Sequence, residues 1–481
     1  MDKKILVLTV TLFAVSAYAQ NNAQNEYVEW KPSQNEYTNF DIGQYTTPDI
    51  ARNLLNMDFG FRTDYSRNDY SYPDRNNMYE SSNLAGNFSS SFSHYVNTRK
   101  KISTLYGNLS FGENYLSQKD ELTYTNTNST TFNNESSLIL QNALNLSWSN
   151  KWYFSNLFFM DYGLQSSVSY NFTHEKTKNH LEDSYEKQKR FSSYISPQLG
   201  VGYGRIENVK DARQAVYIAN ALSKKKVLTR NLSNDELFEL SQIISTVKNK
   251  RFLDARLHLI EEITTLDSFF EDNELLADNG AAYFTTLYDM WQFGDLFSRQ
   301  SGYEISFILR PNYSHQTVKY TPEIQDMIIN ANQHIMSLNF SYEKPFKLNW
   351  QHSLSTEVFG GIHYFSDQNK QIDDSKNSTK YNSFSAMANY SLGYYPNTRT
   401  NIRITTTQQI SKNIFDDERR YTNFYSVLSA NLYYYFSPNL RLAGECWLRY
   451  SPSRNKVNEE YYANRNTFSS SFNIQLTYFI F

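Results

Sequence analysis

The sequence predicts an all-β fold, a transmembrane antiparallel β-barrel of about 14 strands that carries an α-helical insertion. Three observations predict it. Long segments alternate apolar and polar residues with period two, their connections alternate between short turns and long polar stretches, and one block, 205–300, abandons the period of two for a helical one.

Composition narrows the classes first. A chain of 481 residues with one Cys, 40% hydrophobic residues and mean hydropathy −0.63 excludes a helical polytopic membrane protein and a disulfide-built scaffold. Yet 39 Tyr, 33 Phe and 6 Trp give it a 16% aromatic share, which needs a place to sit. The net charge of −3 gives no electrostatic reason to expect nucleic acid as a partner.

The amino terminus carries Lys3 and Lys4, an apolar run from Ile5 to Val15 and the small-residue site Ala17-Tyr18-Ala19, the parts of a secretory signal peptide over 1–19. The run is too short for the roughly 20 residues of a membrane-spanning helix. With Cys446 the lone cysteine, no lipid-anchored amino terminus is expected. The segment 20–50 is polar and repeats Gln24-Asn25-Glu26-Tyr27 as Gln34-Asn35-Glu36-Tyr37. Two readings stay open for it, a disordered periplasmic arm or a segment entering the lumen.

Strands 1–6 are expected over 51–204 and strands 7–14 over 301–481. Leu138, Leu140, Leu144, Leu146 and Trp148 interleave with Gln141, Asn145 and Ser147; Phe154, Phe158, Met160, Tyr162, Leu164, Val168 and Tyr170 oppose Ser155, Asp161, Gln165 and Ser169. Leu440, Leu442, Cys446, Leu448 and Tyr450 oppose Arg441, Glu445 and Arg449. Such runs exceed the soluble-strand average of about 5–6 residues and suit a tilted membrane strand. Turn chemistry occurs at Asn97-Thr98-Arg99, Ser149-Asn150-Lys151, Lys344-Pro345, 395–398 and Ser437-Pro438-Asn439. Long polar loops are expected at 67–82, 117–134, 176–189, 367–379, 416–420 and 451–466. The aromatic excess then has a place, because Tyr and Trp at strand ends form girdles at headgroup depth. Trp148, Trp152, Trp350, Tyr394 and Tyr450 are the candidates.

Within 205–300, Ala212, Val216, Ala219 and Leu222 share one helical face. Ser233-Asn234-Asp235-Glu236 reads as a capping box opening a second helix through Leu237, Leu240, Ile244 and Val247. Phe252, Leu259, Ile263 and Leu266 continue its stripe, and Ala281, Phe284, Tyr288, Trp291 and Phe293 form a third segment. The charges Arg205, Lys210, Arg213, Arg251, Asp254 and Arg256 are read as candidates for docking a partner; the competing reading is a solvated face with weak ion pairs.

Parity nominates the lumen-lining residues Asp58, Arg62, Asp161, Glu304, Arg310, Glu357, Arg403, Arg441, Glu445 and Arg449. Both charge signs occur among them, so a water-filled lumen would carry a transverse field. No nucleophile, base and acid can be tied together from spacing, and no phosphate-binding or metal-binding loop pattern appears, so neither enzymatic chemistry nor a cofactor is expected.

The final strand is the most diagnostic. Phe472, Ile474, Leu476, Tyr478 and Ile480 alternate with polar partners, and the chain ends on Phe481. This resembles the carboxy-terminal assembly signal of outer-membrane β-barrel proteins, with Leu476, Tyr478, Phe479 and Phe481 at the signal positions. The run Tyr433-Tyr434-Tyr435-Phe436 before Ser437-Pro438 resembles barrels of the Bacteroidota. The resemblance implies the bacterial outer membrane, with the helical insertion in the periplasm and the long loops extracellular. It further implies the surrounding lipid and the barrel-insertion machinery as partners, beside a periplasmic protein or peptidoglycan at the insertion. Porin-like passage of small solutes or hydrophobic ligands is the first functional expectation. The alternative is a structural or assembly scaffold that anchors the helical module, with barrel-borne lipid chemistry a distant third.

Overall fold

The computed structural model describes residues 37–478 apart from 38, 125–128, 180–182, 250–258, 294–298, 322–324, 370–375, 398, 417–418, 438–439 and 458–460. Fourteen strands form one sheet. The first six are β1 (Ile50–Ser71), β2 (Arg75–Asn97), β3 (Lys101–Tyr124), β4 (Ser129–Tyr153), β5 (Phe158–Asn179) and β6 (Asp183–Asn208). After the insertion come β7 (Gln300–Thr321), β8 (Gln325–Phe346), β9 (Trp350–Asn369), β10 (Lys376–Tyr394), β11 (Thr400–Phe415), β12 (Arg420–Ser437), β13 (Leu440–Val457) and β14 (Tyr461–Tyr478). Each pairs with its chain neighbours in simple order from β1 to β14.

The register is strongly staggered. A row starting at Phe59 in the middle of β1 passes Phe88, Phe111, Asn142, Tyr170, Phe191, Thr317 and Ile328, and reaches Gln368 one residue from the end of β9. Strands tilted in this way, joined in up-and-down order, are the arrangement of a β-barrel. Among the described residues β1 and β14 are the sheet's two edges, and with fourteen strands they run antiparallel to each other.

Cross-strand partners share a face, so register sorts every strand residue onto one of two surfaces. One surface carries Phe59, Phe111, Leu144, Val168, Phe307, Leu338, Val358, Ile404, Leu428 and Phe472, all exposed, Phe59 at 80% and Phe472 at 67%. The opposite surface is rich in Ser, Asn, Gln, Thr and charge.

The expected long loops are mostly ladder. β1 and β2 stay paired through Ser71↔Asn76, β3 and β4 through Tyr124↔Ser129, and β5 and β6 through Lys178↔Asp183. These residues are polar on both faces, so the period of two disappears from the sequence although backbone pairing continues. At the other end connections are tight. Thr98 and Lys101 exchange backbone bonds of 2.8 and 3.3 Å, while the expected turn at 149–151 lies inside β4, and the chain turns instead after Tyr153.

At the tight-turn end sits a helical module of α1 (Lys210–Lys224), α2 (Asn234–Asn249), α3 (Leu259–Asp272) and α4 (Ala281–Phe293). Helix α1 is its centre, with Ala212, Ala215, Val216, Ile218, Ala219 and Leu222 fully buried. Leu237, Leu240 and Ile244 of α2 pack with it, each burial contributing roughly 1.5–3 kcal/mol. The capping box is formed, with Ser233 N–H donating to Glu236 Oε2 at 2.7 Å and Glu236 N–H to Ser233 Oγ at 3.2 Å. On α4 the buried stripe is Tyr283, Leu287 and Trp291, while Phe284 and Tyr288 are exposed; of the expected stripe Trp291 is buried, but Tyr283 and Leu287 take the places of Phe284 and Tyr288, since aromatics occupy both faces and their spacing cannot choose between them. Tyr37, Phe40, Ile42 and Tyr45 are buried in the same core, so the described end of the 20–50 segment is a strap packed in the module. The first copy of its repeat, the second copy up to Glu36, and the expected signal peptide over 1–19 lie outside the described residues.

Candidate functional site

The polar face of the sheet and its junction with the module bring the chemistry together. On β4–β8 that face is filled. Lys151 pairs with Glu304, Gln198 donates to Asp161 at 2.7 Å, and Asn312 accepts from Tyr194 at 3.3 Å and from Ser196. Phe159 and Tyr153 are buried on the same face, and Phe159 packs where a Cβ on Gly202 would stand 2.2 Å from its ring. A buried carboxylate such as Asp161 requires these donors, because an unpaired one would cost several kcal/mol, about 1–3 or more.

On β9–β13 the polar face carries rings and guanidinium groups. His363, Tyr381 and Phe415, cross-strand partners, stack at 4.4 and 4.8 Å between centroids. Arg449 lies between Tyr425 at 5.4 Å and Trp447 at 4.9 Å, and Arg441 donates to the Tyr433 hydroxyl at 3.0 Å. Such cation–π contacts hold a guanidinium plane in place while leaving its edge available to other partners.

All ten charged residues nominated from parity therefore fall on this one face. Asp161, Glu304 and Arg310 come together on β5 and β7; Arg403, Arg441, Glu445 and Arg449 line β11 and β13; Glu357 lies on β9. Asp58 and Arg62 stand apart on the edge strand β1, where Arg62 pairs with Asp64 at 2.7 Å. Cys446 faces the apolar side with Leu448 and Leu442.

The nominated docking residues fare differently. Arg205 has a side chain only 8% exposed, pairs with Glu207 at 2.9 Å and donates to Asn97 Oδ1 and the Thr98 and Arg99 carbonyls. It clamps the β2–β3 turn rather than facing a partner. Arg213 is buried at 1%, its cation spent on the rings of Tyr217 and Tyr395 at 5.6 and 5.4 Å. Lys210, half-buried, opens α1. Arg251, Asp254 and Arg256 lie outside the described residues, as do Phe479 and Phe481 of the carboxy-terminal signal; Leu476 and Tyr478 are on the apolar face of β14.

The junction itself was not legible in sequence. Arg299, just before β7, donates to the carbonyls of Leu348 and Trp350 and to Gln351 Oε1. Its guanidinium lies 5.2 Å from the Tyr395 ring, so Arg213 and Arg299 share one aromatic ring. Burial, reinforced by Arg213, lowers the Arg299 pKa to about 10. Arg403 donates to the Tyr395 hydroxyl at 2.9 Å. The strap adds Tyr45, which bonds Ser245 Oγ at 2.8 Å, burial pushing its hydroxyl pKa upward. Thr47 and Arg99 both bond Glu207.

No family model matches the chain, and no curated protein matches it. Solved structures similar to it are outer-membrane proteins. They include the β domain of the Bordetella autotransporter BrkA, at 7% identity and TM-score 0.23, covering 78% of this chain and 98% of that one. The translocator domain of the autotransporter NalP from Neisseria meningitidis gives 6%, 0.23, and 91% of each chain. The Ralstonia pickettii toluene transporter TbuX gives 8%, 0.26, and 92% and 93%. Likenesses this distant carry no functional weight, and the reading below rests on the chain's own two faces.

Proposed function

We propose that this protein is an integral outer-membrane barrel that passes small polar solutes along its inner face, with the helical module set at its periplasmic mouth. The observation that supports this most is the segregation of fourteen strands into one exposed apolar surface and one polar surface. Soluble monomers rarely expose contiguous apolar patches beyond a few hundred Å², and Phe, Leu and Ile at 40–80% exposure recur on strand after strand. A bilayer covers such a surface. Trp152, Phe154, Phe158, Tyr203, Tyr303, Phe346, Trp350, Tyr394, Tyr434 and Phe436 line its tight-turn margin, the composition of a headgroup girdle.

The lumen on this reading is asymmetric. Side chains occupy it along β4–β8, and the passage follows β9–β13, where Arg403, Arg441 and Arg449 supply positive charge. Planar-bilayer recordings of the detergent-folded protein test it. Discrete conductance steps are expected, with reversal potentials that shift when those three arginines become Gln. Silence at all voltages, both with the module and after deletion of 211–298, would refute a channel.

A second reading is favoured by one specific observation. Ile260 is 82% exposed, and Phe284 and Tyr288 are 44% and 47% exposed on one face of α4. These suit a module that docks a periplasmic partner while the barrel anchors it. Crosslinking from Phe284 and Tyr288 should then recover a partner that F284S/Y288S loses; an unchanged crosslinking pattern would exclude it.

A further inference from the structure

At the module end of the polar face, β8–β11 enclose a cleft of about 370 Å³. Its walls are hydroxyl and amide groups from Ser353, Ser391, Thr405 and Gln351, with Glu343 on one side and Arg403 on the other. Among the described residues neither an aromatic nor an aliphatic side chain lines it.

The cleft is built and braced. Glu343, Ser353, Ser391 and Thr405 form one cross-strand row. Gln351, Gly393 and Arg403 form the next. Gln351 is 4% exposed and donates both to Glu343 Oε2 at 2.9 Å and to the Gln300 carbonyl at 2.8 Å, while Ser353 donates to the same carboxylate. Arg403 is steadied by its hydrogen bond to the Tyr395 hydroxyl. Among the described residues no carboxylate pairs with it.

We infer that this cleft binds the two charged ends of a short peptide, the carboxylate at Arg403 and the ammonium at Glu343. This inference rests on the channel reading and names a solute class for it. Three strand spacings of about 4.8 Å and the two-residue offset between the rows, about 6.8 Å along the strand, put the Glu343 and Arg403 Cα atoms about 16 Å apart across the sheet. With both side chains reaching inward, the remaining gap suits the termini of two or three residues at about 3.5 Å each. The volume lies at the small end of ligand pockets, about 300–1,000 Å³. Serine, threonine and amide groups between the charges match peptide N–H and C=O. A sugar is disfavoured, because the ring nearest the cleft, Tyr395 over Gly393, is fully buried and offers no face for stacking. A simple anion would leave Glu343 opposed to it.

Calorimetric titration of the detergent-folded full chain with trialanine tests the inference, beside N-acetyl-trialanine and trialanine amide. Binding is expected for trialanine, at least tenfold weaker for each capped form. E343Q should weaken trialanine at least tenfold yet leave N-acetyl-trialanine unchanged, and R403Q should do the same for the amide. Capped peptides probe the unaltered chain, so a variant that misfolds cannot decide the matter. No binding, or equal binding of capped and free peptides, overturns the site. Liposome swelling with arabinose, run in parallel, reads the pore alone. Swelling without trialanine binding removes the peptide site and keeps the channel, whereas binding without swelling keeps the site and removes the channel.

Discussion

Removing the Asp211 carboxylate should release the module from its own centre. Asp211 and Lys248 lie 2.8 Å apart with side chains 10% and 6% exposed. Ser245 donates to the other Asp211 oxygen at 2.5 Å, and Lys248 donates to Gln214 Oε1 at 2.6 Å. Gln214 in turn donates to the Met290 and Trp291 carbonyls, so this network joins α1, α2 and α4. At an effective dielectric near 20 the Coulomb attraction is about 6 kcal/mol, most of it offset by desolvation. Breaking one side leaves the other charge buried, at a cost of about 3–5 kcal/mol. Every 1.4 kcal/mol is tenfold, so D211A should speed amide exchange at Val216–Ala219 and Leu240–Ile244 by roughly a hundredfold to a few thousandfold, leaving β4–β8 unchanged. The double variant D211N/K248M replaces the pair with neutral groups of similar shape and should recover to within about 1 kcal/mol. Exchange in D211A within threefold of the parent, or a double variant as damaged as the single one, would refute the assignment of stability to this pair.

Three further outcomes follow from the same structure. Glu236 is held at a pKa of about 2 by the hydrogen bonds from Arg230 and from the Ser233 backbone; since this lies below the ordinary glutamate value of about 4.3, its stabilisation is complete above that value and is lost as pH falls towards 2, and helicity at the α2 amino terminus should fade over that window in circular dichroism of the parent but show no such step in E236Q. Gly204 adopts φ +109°, and a Cβ there would stand 2.1 Å from the Tyr303 carbonyl oxygen, so G204A should cost about 2 kcal/mol or more through strain and lower the heat-resistant fraction on a semi-native gel; normal migration at parental yield would contradict this. L338R on the apolar face should cost about 2–4 kcal/mol in urea titrations of the bilayer-folded protein, whereas N339R on the polar face should cost under about 1 kcal/mol, and equal costs would remove the bilayer from the outer surface.

Much of the sheet was readable because a membrane-type strand repeats one binary rule for many residues. Asp161 against Met160 and Arg449 against Leu448 fix their faces by parity alone, and fourteen such segments can be counted without knowing any contact. The rule fails where its physical cause ends. Beyond the apolar surface, Lys176 and Lys178 need no alternation to stay paired with β6, so a ladder reads as a loop. Lys151 sits beside Ser149 and Asn150, a turn-like trio, yet it continues β4, paired on the ladder with Ile102 and Asp161. Glu343 was hidden in the same way beside the turn-like Lys344-Pro345, which lies inside β8. The junction is a different case. Arg213 was read as a docking charge because a guanidinium is usually solvated, Arg299 drew no notice, and nothing in the local sequence of either announces a distant Tyr395. Only the fold brings residues from α1, the neck before β7 and the β10–β11 turn to one ring.

That ring has a mechanical meaning. Tyr395 is gripped on its faces by two cations of the insertion and holds by its hydroxyl a third cation of the barrel wall. One buried ring is thus shared between the insertion and the barrel wall. By thermodynamic reciprocity, whatever free energy a solute at Arg403 adds to or takes from the seating of the module, the seating of the module adds to or takes from the solute.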